Sequence, residues 1–279
     1  MACIYGDLEV WMGKTSASKQ FTIDSKVPGG FGPGTSTGEG ILQHTKETVE
    51  HLQVKSVNVY YIHAPDPSPD LEDQFEGINK MYKAGYFKRF GLSSFKVADV
   101  QCVYDIAKAK GYPLPAVYQA NYSVVARKVE TELMPMLHKL GIVFYIYSPI
   151  AEGLLTKTAQ QLHEGGESAG CFATGHAMQG LYGSLYNKPS YYKVLDLWEE
   201  AAKEAGCTKV ELAYCWAAFN SVVDPKYGNT VLFGASKLSQ ILETLALLKR
   251  SSIGEVAKAK INKIWKIVED KVLLDNYHQ

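Results

Sequence analysis

No stretch of this sequence stays apolar for the roughly 18–20 residues that a membrane-crossing helix needs, so a membrane is not expected among its partners. Charge of one sign is equally missing. Lys plus Arg and Asp plus Glu each total 29, which gives no reason to expect nucleic acid or an anionic surface as partner. Cysteine is sparse: Cys3, Cys102, Cys171, Cys207 and Cys215 are scattered, with no CxxC pair and no His/Cys cluster. That spacing argues against a zinc site and a disulfide framework, and for free thiols in a reducing compartment. No basic-then-apolar leader opens the chain, so a cytoplasmic location is expected. No GxGxxG follows an early strand, and the glycine-rich stretch 28–40 has no GK[ST]. A dinucleotide-binding doubly wound sheet and a phosphate loop are both disfavoured. What is present is an ordinary globular composition, 279 residues with 46% apolar and 21% charged, long enough for a large core.

Short apolar runs at 21–26, 57–63, 90–93, 116–119, 143–147 and 230–235 read as strands buried on both faces. Helical patterns lie between or after them at 38–52, 71–84, 96–110, 129–140, 195–205, 209–219 and 253–272. Gly85, Gly111 and Gly141 stand just past three of these, the usual place for a helix stop. Alternating strands and helices predict a parallel sheet with right-handed crossovers in an α/β fold. The reading is of one domain over residues 1–279, six strands being two short of an eight-stranded (β/α)8 barrel. Residues 158–190 break the alternation and read as a long βα loop over the active face, a disordered insertion being the alternative.

In such barrels the chemistry sits at the carboxyl ends of the strands. Those ends carry Lys26, His63, Ser93-Ser94, Gln119-Ala120-Asn121, Tyr147-Ser148 and Ser236-Lys237. Each has a mundane reading alone: a solvated lysine, a structural histidine, a serine that caps the next helix.

Seven segments taken in order resemble the aldo-keto reductases, in particular the branch of aflatoxin aldehyde reductases and fungal polyketide-pathway reductases. They are Ile4-Tyr5-Gly6-Asp7, Thr22-Ile23-Asp24-Ser25-Lys26, Val59-Tyr60-Tyr61-Ile62-His63-Ala64-Pro65-Asp66, Phe90-Gly91-Leu92-Ser93-Ser94-Phe95, Val117-Tyr118-Gln119-Ala120-Asn121-Tyr122, Val129-Glu130-Thr131-Glu132-Leu133, and the run from Tyr147-Ser148-Pro149 to Gly153-Leu154-Leu155-Thr156. The resemblance implies a barrel that binds NADPH at its carboxyl face and a catalytic tetrad of Asp, Tyr, Lys and His. Tyr5 matches the tyrosine, Lys26 the lysine and His63 the histidine. It implies carboxamide contacts from Ser93, Ser94 and Gln119, and a nicotinamide stacked on Tyr147. Ser148, Gly153 and Leu155 would follow the pyrophosphate. Ser236 and Lys237 would meet the 2′-phosphate, with Gln240 and Thr244 aligned to its other contacts by position. The residue types suit the chemistry: an ammonium beside a phenol lowers its pKa so that it can give a proton, and a neutral imidazole can polarise a carbonyl.

The chain also departs from the family. The motif Asp-Thr-Ala-x-x-Tyr-Gly begins here at Met1, in the threonine's place, so the tetrad aspartate has no position, nor have the N-terminal hairpin, the first βα unit and the second strand. Three expectations follow: a shortened gene model, pairing with another chain (a homo-oligomer covering the open barrel), or a degenerate paralogue. Where the aflatoxin-aldehyde branch places paired arginines, this chain has Gly183 and Leu185. That favours a small apolar or aromatic carbonyl substrate over a carboxylated one, with fungal secondary metabolism as a setting. Tyr182, Tyr186, Tyr191 and Tyr192 either line that site or pack the loop. The expected activity is NADPH-dependent reduction of an aldehyde or ketone; the alternative is a cofactor-binding pseudoenzyme or regulatory subunit. A metal-dependent lyase or hydrolase is disfavoured by the lack of clustered carboxylates and histidines at strand ends.

Overall fold

The computed structural model describes residues 6–249 and 252–278. Tyr5, the expected tetrad tyrosine, and Cys3 lie outside the described residues. The fold is α/β, with strands β1 (Ser25–Val27), β2 (Val57–Ile62), β3 (Phe87–Ser93), β4 (Pro115–Asn121), β5 (Val143–Tyr147) and β6 (Thr230–Val231) numbered in chain order. The chain forms two compact units, the first made of residues 1–119 and 136–143 and the second of 120–135 and 144–279.

In the first unit β1 pairs with β2, β2 with β3 and β3 with β4, all parallel. Helices α1 (Leu8–Lys14), α2 (Gly38–His51), α3 (Leu71–Lys83) and α4 (Val97–Lys110) accompany them. The starts of α2 and α3 are side-chain caps, as Thr37 Oγ1 accepts from Gly40 N at 3.0 Å and Asp70 Oδ1 from Glu72 N at 3.0 Å. α4 ends at Gly111, whose φ of 65° lies in the left-handed region that a C-terminal stop requires. The core is continuous apolar strand, with Val59, Ile62, Phe90, Leu92 and Val117 wholly or nearly wholly buried, faced by Ile41 of α2 and Phe75 and Ile78 of α3. β1 begins four residues later than the apolar run predicts. Ile23 O still accepts from Asn58 N, but the Asp24 carboxylate takes the next N–H, that of Val59, at 3.0 Å, so the backbone ladder starts at Ser25.

In the second unit β5 and β6 pair in parallel, and the last rung of that pairing is Leu232 N donating to Ile146 O at 2.7 Å. β6 is therefore shorter than residues 230–235. The helical pattern at 129–140 is two helices, α5 (Val129–Glu132) in this unit and α6 (Met134–Leu140), most of which belongs to the first. Pro135 explains the break: it disfavours helix at the residue before it and fits the first turn of a new helix. Residues 158–190 are neither irregular nor a plain loop. They form α7 (Ala159–Glu164), a 3₁₀ segment (Glu167–Phe172) and α8 (Gln179–Tyr186). α7 opens with a capping box in which Thr158 Oγ1 accepts from Gln161 N and Gln161 Oε1 from Thr158 N, at 3.2 and 2.9 Å. Helices α9 (Pro189–Glu204), α10 (Lys209–Phe219), α11 (Leu238–Leu247) and α12 (Glu255–Val268) complete this unit. Its core gathers aromatics: Tyr122 stacks on Trp216 at 5.3 Å, and Trp198, fully buried, donates from Nε1 to Leu155 O at 2.9 Å. No helix among the described residues is long and apolar enough to cross a membrane, and no group of three or more metal-ligating side chains occurs among them.

Candidate functional site

The register of the first unit decides which side chains converge. Lys26 lies opposite Tyr61, Tyr61 opposite Gly91, and Gly91 opposite Val117. Residues paired across a sheet share a face, and so do residues two apart on a strand. Lys26, Tyr61, His63, Ser93 and Gln119 therefore belong to one face, at the carboxyl ends of β1 to β4. Ser93 is directly opposite Gln119, and His63 N donates to Val27 O at 3.0 Å, carrying the pairing one residue past β2. Four of the residues expected from sequence are thus brought together, with Ser94 beside them in a tight turn at φ 60°.

Their electrostatics are set by burial. Lys26 is 8% exposed, and desolvation draws its ammonium down from 10.5 to about 8, with the Asp24 carboxylate acting in the opposite sense. Among the described residues no ion pair involves Lys26. Its Nζ lies 5.2 Å from the centroid of the Tyr61 ring, a cation–π contact that helps hold the charge. Burial, and then the Lys26 charge, push His63 down from 6.5 to about 3, so its imidazole is neutral at every ordinary pH. The Phe31 ring meets it edge-on at 4.9 Å. Neither Tyr61 nor Phe31 stood out in the sequence. Counting back two residues from His63 would have found Tyr61; nothing local marks Phe31, which comes from the glycine-rich stretch.

Tyr147, Ser148, Gly153, Ser236 and Gln240, all in the second unit, line a cavity of about 430 Å³. The turn after β5 that forms one wall is built from left-handed residues, with φ of 58° at Ser148, 49° at Ala151, 53° at Glu152 and 94° at Gly153. Three of the four are not glycine, and such strain persists only where the surroundings enforce it. One support is Trp198, whose bond to Leu155 O fixes the end of the turn. Leu155 itself is fully buried and is not among the cavity's lining residues. At the start of α11, Ser236 N, Ser236 Oγ and Lys237 N converge on one atom, Gln240 Oε1, at 3.0, 3.2 and 3.3 Å. Three donors thus meet a single oxygen at the helix N-terminus, and that oxygen belongs to the chain's own Gln240 amide. Lys237 is exposed outside the cavity lining, and Thr244 is buried, its hydroxyl meeting Tyr214. Glu152, which sequence reasoning passed over, lines the same cavity and is bonded to Tyr186.

The model of the aldo/keto reductase family matches residues 1–266. The chain is 33% identical over 265 residues to oxidoreductase sirO of Leptosphaeria maculans, covering 95% of this chain and 79% of that protein. It is 28% identical over 235 residues to aflatoxin B1 aldehyde reductase member 2 of Rattus norvegicus, covering 82% and 64%. To aldo-keto reductase pigE of Monascus ruber it is 25% identical over 211 residues, covering 75% and 62%. A lysine and a neutral histidine on one face of parallel strands, and a family match that runs through both of them, lead to one conclusion: the chain belongs to the aldo/keto reductase family and is an oxidoreductase of that kind.

Proposed function

We propose that the protein reduces a small apolar or aromatic aldehyde or ketone to its alcohol with NADPH, in secondary metabolism. The observation that carries this reading is the shared face of Lys26, His63, Ser93 and Gln119, with His63 held neutral beside the Lys26 charge. NADPH, when bound, supplies the hydride that reaches the carbonyl carbon. The chain's own groups manage the oxygen and its proton. Tyr5 gives the proton, the Lys26 ammonium lowers that phenol's pKa, and His63 donates a hydrogen bond to the carbonyl oxygen without protonating it. Ser93, with Ser94, and Gln119 have the donors and acceptors a carboxamide needs. Tyr147 offers a ring to stack on, and Ser148 and Gly153 line a cavity wide enough for a pyrophosphate. The convergent donors at Ser236 and Lys237 support NADPH over NADH, since they form a site for one more phosphate oxygen. Gly183 and Leu185, in place of a basic pair, support a substrate without a carboxylate.

The test is NADPH titration by intrinsic fluorescence, followed by NADPH oxidation with benzaldehyde. Turnover is expected, and Lys26→Met or His63→Leu lowers kcat by roughly 10²–10⁴-fold with NADPH affinity kept. Binding without turnover replaces the reductase reading by that of a cofactor-binding pseudoenzyme. Absence of NADPH binding overturns both.

A further inference from the structure

Glu152 stands where the backbone suits glycine. Its φ of 53° and ψ of 23° lie in the left-handed region, between Ala151 at φ 49° and Gly153 at φ 94°. An L side chain is disfavoured there, so a residue held in that conformation raises the question of what its side chain supplies. Its contacts answer. Tyr186, at the end of α8, donates from Oη to Glu152 Oε2 at 3.2 Å, and Asn276 Nδ2 approaches Oε1 at 3.5 Å. Each carboxylate oxygen thus faces a donor from a different stretch of the second unit. Asn121, the last residue of β4, ties those two donors together. Its Nδ2 gives to Asn276 Oδ1 at 2.9 Å and lies 3.5 Å from the Tyr186 hydroxyl. Burial raises the Glu152 pKa, and hydrogen bonds from Ser148 and Tyr186 act in the opposite sense.

We propose that Glu152 is a positioning residue: bound to Tyr186 and Asn276, it fixes the turn after β5, and through that turn it sets the affinity of the cavity of about 430 Å³ for its ligand. Tyr147, Ser148, Ile150 and Gly153 of the same stretch line that cavity, so a change in the turn's shape is a change in the wall. The turn does not keep its shape by local preference, since Ser148, Ala151 and Glu152 are all left-handed without being glycine. Trp198 holds its far end through Leu155 O; the Glu152 carboxylate holds its middle. A wall fixed before the ligand arrives costs less ordering on binding than one still to be set. Both carboxylate oxygens are engaged by the chain's own donors, so Glu152 acts through hydrogen bonding and not through its charge. Taking NADPH as the ligand rests on the reductase reading; the fixing of the turn does not.

The experiment measures the NADPH dissociation constant by intrinsic fluorescence, and amide hydrogen exchange of residues 148–155 without cofactor, for the full chain and four variants. Glu152→Gly suits the backbone but removes the carboxylate. Tyr186→Phe leaves the turn's own sequence intact and removes one donor. Each is expected to weaken NADPH binding roughly tenfold, the worth of one buried hydrogen bond, and to speed exchange in the turn. The double variant is expected to be no weaker than Glu152→Gly alone, since the two side chains act as one unit. Glu152→Gln, which still accepts from Tyr186, is expected to restore most of the affinity and slow exchange. Unchanged affinity or unchanged exchange in Glu152→Gly overturns the proposal. So do losses that add in the double variant, or a Glu152→Gln as weak as Glu152→Gly. Should Glu152→Gly fail to fold, Tyr186→Phe and Glu152→Gln read the same contrast. If the unmodified chain binds no NADPH, the reductase reading falls and exchange alone decides: unchanged rates overturn this proposal too, and faster rates in Tyr186→Phe uphold the fixing of the turn.

Discussion

Lys26 carries the sharpest expectation at the scale of one residue. Its buried ammonium releases its proton near pH 8, and a neutral amine no longer favours the phenolate of the tyrosine proposed as proton donor. The expected pH profile of kcat is level below about pH 7 and falls as pH rises through 8. In Lys26→Arg the limb moves beyond the accessible range, since a guanidinium stays charged. His63, protonated only near pH 3, adds no acid limb between pH 5 and 7. Steady-state rates from pH 5 to 9.5 check this, and a flat profile to pH 9.5 removes Lys26 from the proton economy. Lys26, His63, Ser93 and Gln119 were legible in the sequence because each is a polar residue that ends an apolar run. Asn121 and Glu152 were not. Asn121 stood among the strand-end polar residues without a role, because its side-chain partners, Tyr186 and Asn276, are distant in sequence. Glu152 matters through contacts with Tyr186 and Asn276, distant in sequence.

Among the elements, the close approach of β2 and β3 at Gly91 does more than complete a ladder. A Cβ placed on Gly91 would lie 2.3 Å from the Tyr61 ring, which in turn lies beneath the Lys26 ammonium. Gly91→Ala is therefore expected to destabilise the protein by about 1–3 kcal/mol, as overpacked cores do. It also displaces the ring and shifts the pH limb assigned to Lys26. Urea unfolding and the rate profile of the same variant test the two halves separately; an unchanged urea midpoint means that Tyr61 yields without strain. Element type was readable from periodicity, while boundaries were lost where side chains stand in for backbone. Asp24 took a strand N–H, Pro135 split a helix, and the Thr158–Gln161 capping box began a helix inside what reads as loop.

For the molecule as a whole, the buried imidazole links folding to acidity. His63 is held near pH 3 in the folded state against 6.5 when exposed, so between those values the unfolded chain binds more protons. Stability from this group is complete above pH 6.5 and declines as pH falls toward 3. Urea midpoints measured from pH 7.5 to 4.5 are expected to drop, and to drop less in His63→Gln, which cannot titrate; parallel profiles for the two proteins would place the acid sensitivity elsewhere. The α/β class and the order of strands were legible because strand and helix periods alternate through the whole sequence. Side-chain networks such as Asn121–Tyr186–Glu152–Asn276 were not, since they join residues up to 155 positions apart. Because Gln240 already seats an oxygen among the donors of Ser236 and Lys237, the phosphoryl group that the proposed NADPH binding would bring there would enter by exchange and not by filling a gap. Such an exchange would set a charged oxygen where a neutral amide oxygen sits, and the ionic atmosphere of the solution governs how much that difference is worth.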